Sequence, residues 1–239
     1  MNLFVRSASK LHAIFPDLES KNGLTVNIFT GIASDTAELS ACLENADVVF
    51  ACIGSNYSTY GQSIIRDTAA AVIDALESLR RKSPINRNGT WKAPTVIQLR
   101  SASLNPALSM MVPWYGRMMA HFCFYYNYAD LDRASALLAS AADGASPLLQ
   151  YILVDPPSIH DPQGTQATGY RLILSDDKDL KQTPVLSYAD LGVAFCECAE
   201  RREELKGREV GVSATGKVKE TWNVLIWYIL AGAKGRIWS

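Results

Sequence analysis

The sequence has no surplus of either charge: Lys+Arg is 23 and Asp+Glu is 24 over 239 residues, a net charge of −1. Without a basic excess to neutralise a phosphate backbone, nucleic-acid binding has no electrostatic basis. Paired cysteines are also lacking. The five, Cys42, Cys52, Cys123, Cys196 and Cys198, are odd in number and scattered through apolar stretches. They read as buried thiols of a reducing compartment and not as a disulfide framework. None has zinc-ribbon spacing, and Cys196 and Cys198 fall on different sides of a helix, so no metal is expected. The opening MNLFVRSASK lacks the apolar core of a signal peptide. The apolar run from Val224 to Ala233 is far short of the ~20 residues that cross a bilayer. A cytoplasmic protein with no membrane span is therefore expected. No repeat recurs at a fixed period.

What is present is core-forming material. Apolar residues make up 48 % and charged residues 20 %, enough to offset chain entropy and exclude disorder as the main state. Short apolar runs alternate with longer amphipathic segments. Leu3–Arg6, Thr25–Phe29, Asp47–Ile53, Thr95–Leu99, Tyr151–Val154 and Glu209–Val212 read as strands, and Thr168–Leu174 as a short strand near an edge. Between them, Ala8–Phe15, a segment capped by Ser34-Asp35-Thr36 and running to about Glu44, Gly61–Lys82, most of Pro113–Ala142, Tyr188–Arg202 and Val218–Ala231 read as helices. Continuous apolar strands, each followed by a helix, predict a parallel sheet covered on both faces. The class is α/β, a doubly wound, Rossmann-like parallel sheet with right-handed crossovers. The polar loop Ser83–Pro94 reads as an insertion, leaving one domain over 1–239.

Ligands of such sheets bind outside the carboxyl ends of the strands, so the residues just after each strand carry the chemistry. Arg6 and Lys10 follow the first strand, with Ser7 and Ser9 between them. A cationic pair with hydroxyls suits a 2′-phosphate on an adenosine ribose; it equally reads as two solvated cations at a helix start. Gly54-Ser55-Asn56 lets a backbone pass close to a nicotinamide ribose, or is a plain strand-to-helix turn. Ser101 can reach a substrate carbonyl or a nicotinamide amide, or is a helix cap. Tyr125, Tyr126 and Tyr128 cannot all face the core, so one phenol can serve the cleft as an acid; a structural tyrosine cluster is the alternative. No lysine stands four residues after any of them to supply the neighbouring positive charge that lowers a phenol pKa. His160, after Asp155-Pro156-Pro157, is the histidine best placed for proton transfer. His12 and His121 fall on helices and read as structural.

The segments VRSASKL, GIASDTAELSACLENADVVFACIGSN, VIQLRSASLNPAL, YADL, YILVDPPSIHDPQGTQATGYRL, LSYADLG and VGVSATGKV, taken in this order, resemble the atypical short-chain dehydrogenases of the NmrA-like and flavin-reductase-like kind. Within them the resemblance is to the averufin oxidase family of fungal aflatoxin, sterigmatocystin and dothistromin-type pathways, and it covers nearly the whole chain. It implies an NAD(P)-binding fold, NADP(H) as cofactor, and oxidative tailoring of an anthraquinone-type, aromatic polyketide beside a cytochrome P450. Carried over, Arg6 contacts the adenosine end of the cofactor, Gly54 and Asn56 line its middle, Ser101 stands near the nicotinamide, and Pro156 and Pro157 shape that side of the cleft. Residues 105–239 form most of the substrate side.

The family pattern opens with a strand and a glycine-rich turn, G-A-T-G-x-x-G, before the segment that matches here. This sequence enters at Met1 in what corresponds to the second strand, and the expectation is a natural chain that begins upstream. The first strand of the order 3-2-1-4-5-6 is central; its neighbours are then expected to face each other across unpaired backbone groups, at about 1–3 kcal/mol for each group left unsatisfied. Two other functions stay open on the residues. One is a cofactor-independent rearrangement or cyclisation enzyme using Ser101, Tyr128 and His160. The other is a non-catalytic protein that senses dinucleotides or partners an oxidase.

Overall fold

A run such as Thr95–Leu99 has branched apolar side chains on both faces, which suits a strand covered on both sides. In the computed structural model this segment is β4, the second strand of a five-stranded sheet. The structure describes all residues except 19–22, 24, 33–34, 56, 83–90, 111–112, 162–166 and 238–239. In chain order the elements are β1 (Asn2–Val5), α1 (Ala8–Ile14), β2 (Asn27–Thr30), α2 (Thr36–Leu43), β3 (Val48–Ala51), α3 (Ile64–Lys82), β4 (Thr95–Leu99), β5 (Ser109–Met110), α4 (Trp114–Cys123) and α5 (Tyr125–Ala141). There follow β6 (Gln150–Asp155), β7 (Ser158–His160), β8 (Tyr170–Ile173), β9 (Lys181–Gln182), β10 (Val185–Ser187), α6 (Tyr188–Glu200), α7 (Arg202–Leu205), β11 (Glu209–Ala214) and α8 (Trp222–Ile237).

The main sheet has the order β3-β4-β6-β11-β8. Its first four strands are parallel, and β8 closes the edge antiparallel to β11, with Gly211 opposite Ile173 and Ala214 opposite Tyr170. The antiparallel edge departs from the all-parallel expectation. The cause is local: β8 runs opposite to β6, entering the sheet from the end at which β6 leaves it, a connection that needs no crossover. Two small parallel pairs, β7–β10 and β5–β9, were not legible in the sequence because each is only two or three residues long. The helical stretch after Pro113 breaks at Phe124, where the chain leaves α4 and begins α5.

Two apolar layers cover the sheet. One side is packed by α3 and α5, with Val72, Ala75, Leu76, Ala134 and Leu138 against Val96 and Leu149. The other is packed by α6, with Leu191, Ala194, Phe195 and Cys198 against Ile97, Ile152 and Val212. The alternation of Val96 and Ile97 between the two clusters is the period-two geometry of a strand.

β1 and β2 pair in parallel, Asn2 opposite Asn27 through Val5 opposite Thr30. Among the described residues they hydrogen-bond to no strand of the main sheet. What ties them to it is α2: the Asn2 amide donates to the Cys42 carbonyl at 2.7 Å, and Phe4 packs into the same cluster as Val49 and Ala51 of β3. The edge of β3 away from β4 pairs with no strand among the described residues.

Cys42, Cys123 and Cys198 are buried as expected, but Cys52 and Cys196 are exposed. Neighbouring apolar residues in sequence do not bury a side chain that alternates outward. All five are free thiols.

Candidate active site

The described residues that follow the strands fall into two groups. At the end of β1, Ser7 caps α1 by accepting from the Lys10 backbone N–H at 3.3 Å, and its hydroxyl lies 2.9 Å from that of Ser9. Arg6 and Lys10 are exposed and make no ion pair among the described residues. At the end of β3, a Cβ added at Gly54 would meet nothing within 4 Å. The glycine is therefore not required by the protein's own packing, and the space above it is open. Ser55 folds its hydroxyl onto its own turn, donating to the Tyr57 carbonyl at 3.0 Å and accepting from the Tyr57 N–H at 3.1 Å. Its carbonyl accepts from the Asn127 amide on α5 at 2.7 Å. Asn56 lies outside the described residues.

The second group sits where β4 and β6 end side by side. Arg100 and Asp155 form a buried, bidentate ion pair, Nε to Oδ1 at 2.6 Å and Nη2 to Oδ2 at 2.7 Å. The third guanidinium nitrogen reaches Glu209 at 2.8 Å. The Asn105 amide donates to Asp155 Oδ2 at 2.8 Å, and the Gln182 amide donates to the Asp155 carbonyl at 2.7 Å. Burial alone would pull the Arg100 pKa down, but the hydrogen bonds it donates to Asp155 and Glu209 hold it well above its ordinary value. This network locks the two strand ends, and the Ala102 N–H then donates to the Pro156 carbonyl at 3.0 Å. Ser101 and Pro156-Pro157 are thereby brought together, two sequence candidates 55 residues apart at the first pair of the network.

Above this point stands Tyr128 of α5. Its phenol donates to the Ser103 hydroxyl at 3.2 Å. Burial pushes the phenol pKa up, and the hydroxyls of Ser103 and Ser101 beside it pull the other way. Ser101 itself starts the 3-10 turn Ala102–Leu104 and accepts from the Ser103 N–H at 3.3 Å. His121 of α4 donates from Nε2 to the Ser103 carbonyl at 2.9 Å, and its ring meets that of Tyr128 edge-on at 5.2 Å. Ser101, Ser103 and Tyr128 therefore form one polar cluster at the end of β4, with His121 holding the Ser103 turn. His121, read from the sequence as structural, bonds a backbone carbonyl here; the sequence signal for Ser103 is the S-x-S spacing after a strand, and His121 has none.

His160 is not part of this group. It is 1 % exposed. Its Nδ1 accepts from the Thr221 N–H at 2.9 Å, which leaves Nε2 carrying the proton toward the Ser158 hydroxyl at 3.0 Å. Burial lowers its pKa, against a smaller pull upward from Glu220. A ring enclosed in this way reaches no substrate; it ties β7 to the start of α8.

Behind the rim, a narrow apolar cleft lined by Ala51, Ile65, Val72, Val96 and Leu138 also contains the Gln98 side chain. The Gln98 amide is buried and has no hydrogen-bond partner among the described residues.

A mostly parallel sheet with helices on both faces and strand ends that carry polar turns defines a Rossmann-type α/β domain. A solved structure of that kind from Veillonella parvula, in complex with NADP, superposes with a TM-score of 0.57 at 17 % identity, covering 90 % of this chain and 82 % of that one. No family model matches the chain. It is, however, 41 % identical over 237 residues to averufin oxidase A of Aspergillus flavus and 45 % identical over 247 residues to an averufin oxidase of Emericella nidulans. Each alignment covers 99 % of this chain and 80 % of the relative. The chain belongs to the averufin oxidase family, and it is an oxidoreductase.

Proposed function

We propose that this protein is an NADP(H)-dependent oxidoreductase that tailors an anthraquinone-type polyketide of the averufin kind in a fungal pathway. One observation carries the reading: Ser101, Ser103 and Tyr128 converge at the end of β4, in a chain 41–45 % identical to averufin oxidases. The residues present fit the two ends of such a cofactor. Arg6 and Lys10, exposed and without an ion pair among the described residues, would hold a 2′-phosphate, with Ser7 beside them. The open space above Gly54 admits a ribose, with Ser55 along it, and Pro156 and Pro157 wall the nicotinamide side. When bound, the dinucleotide exchanges a hydride with the substrate.

The protein's own work is then to place a carbonyl or hydroxyl oxygen of the guest against Tyr128. The phenol keeps its proton through neutral pH because burial raises its pKa, so it serves as a hydrogen-bond and proton donor to that oxygen. Ser101 orients the same oxygen, Ser103 orients the phenol, and His121 holds the Ser103 turn. Residues 105–239 supply most of the walls for a flat aromatic guest. We place the enzyme in the cytoplasm and give it a cytochrome P450 of the same pathway as a working partner.

The competing reading is an enzyme of the same fold that works without a cofactor. NADPH titration followed through the five tryptophans separates the two. Quenching that saturates below millimolar NADPH is expected, and Arg6→Ala should weaken NADPH far more than NADH. Absence of quenching overturns the cofactor assignment, and equal effects on both nucleotides remove Arg6 from it.

A further inference from the structure

α8 is mostly apolar, with Lys234 and Arg236 in its last turn, yet among its described side chains only one side is packed. Gly232 and Gly235 let the helix press close: a Cβ at Gly232 would stand 2.2 Å from the Cys123 carbonyl, and one at Gly235 would stand 2.6 Å from the Ser58 carbonyl. Arg236 closes the contact, with its guanidinium 3.9 Å from the centre of the Tyr125 ring and a hydrogen bond to the Tyr126 hydroxyl at 3.2 Å. Tyr57 meets Tyr228 edge-on at 6.1 Å. The outer sides stay bare. On α8, Ile226, Trp227 and Leu230 are 54 %, 65 % and 60 % exposed; on α4, Trp114, Met118 and Phe122 are 73 %, 61 % and 47 % exposed. Contiguous exposed apolar surface of this kind marks an interaction site.

Charge says what it fits. The three segments that meet here, 57–63, 113–129 and 221–237, contain no Asp or Glu at all, although the chain has 24. Their cations are Arg117, Lys234 and Arg236. Of the carboxylates that border these segments in sequence, Asp130 is fully buried on the Ile65 and Arg66 N–H groups, Asp67 is paired with Arg66, and Glu220 precedes α8 in company with Lys217 and Lys219. A second copy of this face is a poor occupant, because an isologous contact would set cations against cations with no carboxylate on either side. Exposed tryptophan with lysine and arginine is the chemistry of an anionic bilayer surface. α8 has 16 residues, about 24 Å at 1.5 Å per residue, and no helix among the described residues is long and apolar enough to cross a membrane. It can lie on a bilayer.

We propose that the outer face of α4 and α8 docks this protein onto anionic lipid membranes. The claim is independent of the catalytic reading. The test is flotation of the intact chain with vesicles of phosphatidylcholine alone and of phosphatidylcholine with phosphatidylserine, with sedimentation in parallel. The expected result is flotation with the anionic vesicles, weakened by added salt. Trp227→Asp with Met118→Asp should abolish it while thermal unfolding stays unchanged, since both sites are exposed. Arg117→Glu with Lys234→Glu keeps the apolar face and should lower binding to anionic vesicles more than tenfold, at about fivefold per charge removed. No flotation of the unaltered chain, or equal flotation of the variants, overturns the proposal. So does a dimer that Trp227→Asp splits without any vesicle binding, which would assign the face to a second copy.

Discussion

At the scale of single residues, the chemistry depends on which side chains burial leaves reachable. Tyr128 and His160 are both polar groups after a strand or on a facing helix, and nothing in sequence ranks them. The structure turns the Tyr128 phenol to the Ser101–Ser103 turn and closes His160 between Thr221 and Ser158. Tyr128→Phe should therefore lower turnover by about 10²-fold or more, the usual worth of a positioned acid, with little change in melting temperature. Ser101→Ala should slow turnover in the same assay without unfolding the protein; unchanged turnover would make it a turn residue only. His160 acts on stability. Its folded pKa lies below the ordinary 6.5, so the unfolded chain binds the proton more readily and its contribution is present above that value. Stability should fall as pH drops below about 6.5, and His160→Gln should flatten that part of a denaturation-midpoint-against-pH curve. Arg100 and Asp155 are a different case. Removing one partner leaves the other charge buried, so Asp155→Ala should cost about 3–5 kcal/mol, measured by urea unfolding.

Elements are placed here by buried caps and by close backbone approach. Asp130 of α5 is fully buried and accepts the Ile65 and Arg66 N–H groups at 3.0 Å each. It caps α3 from a neighbouring helix, which fixes the two together more firmly than a local cap would. Ser187 and Asp190 cap α6 locally: the Asp190 N–H donates to the Ser187 hydroxyl at 2.9 Å, and that hydroxyl donates back to the carboxylate at 2.6 Å. The local pair is readable as S-x-x-D; the Asp130 cap is not, because its partners are 64 and 65 residues away. α8 depends on Gly232. Gly232→Ala should move the helix off Cys123 and cost about 1–3 kcal/mol, as overpacking does, with a change in the near-ultraviolet signal of the tyrosines it meets.

Across the whole molecule, stability is uneven. β4, β6 and β11 lie inside the sheet with helices on both faces, whereas β1 and β2 form a separate pair whose exposures are intermediate at best. Amides of β1 and β2 should exchange with solvent well before those of β4 and β6, because regions with few buried apolar contacts open at lower free energy. Mass spectrometry of exchanged peptides would read the difference. Equal protection would mean that the pair opens only with the whole domain.

Local sequence by itself determined the element types and the class of fold. Apolar runs of strand length and amphipathic stretches of helix length recur along the chain, and short-range periodicity is enough to read them; β4 falls on Thr95–Leu99, where the pattern puts it. It also determined the family, through long matching segments. Tertiary structure alone decided which of the polar residues share a site. Ser103 and His121 are 18 positions apart and Ser103 and Tyr128 are 25 apart, and only the packing of α4 and α5 over the end of β4 brings them within hydrogen-bonding range. The same packing buried His160, exposed Cys52, and left one side of a mostly apolar helix uncovered among the described residues. Burial depends on what the rest of the chain places nearby, and no window of neighbouring residues contains that information.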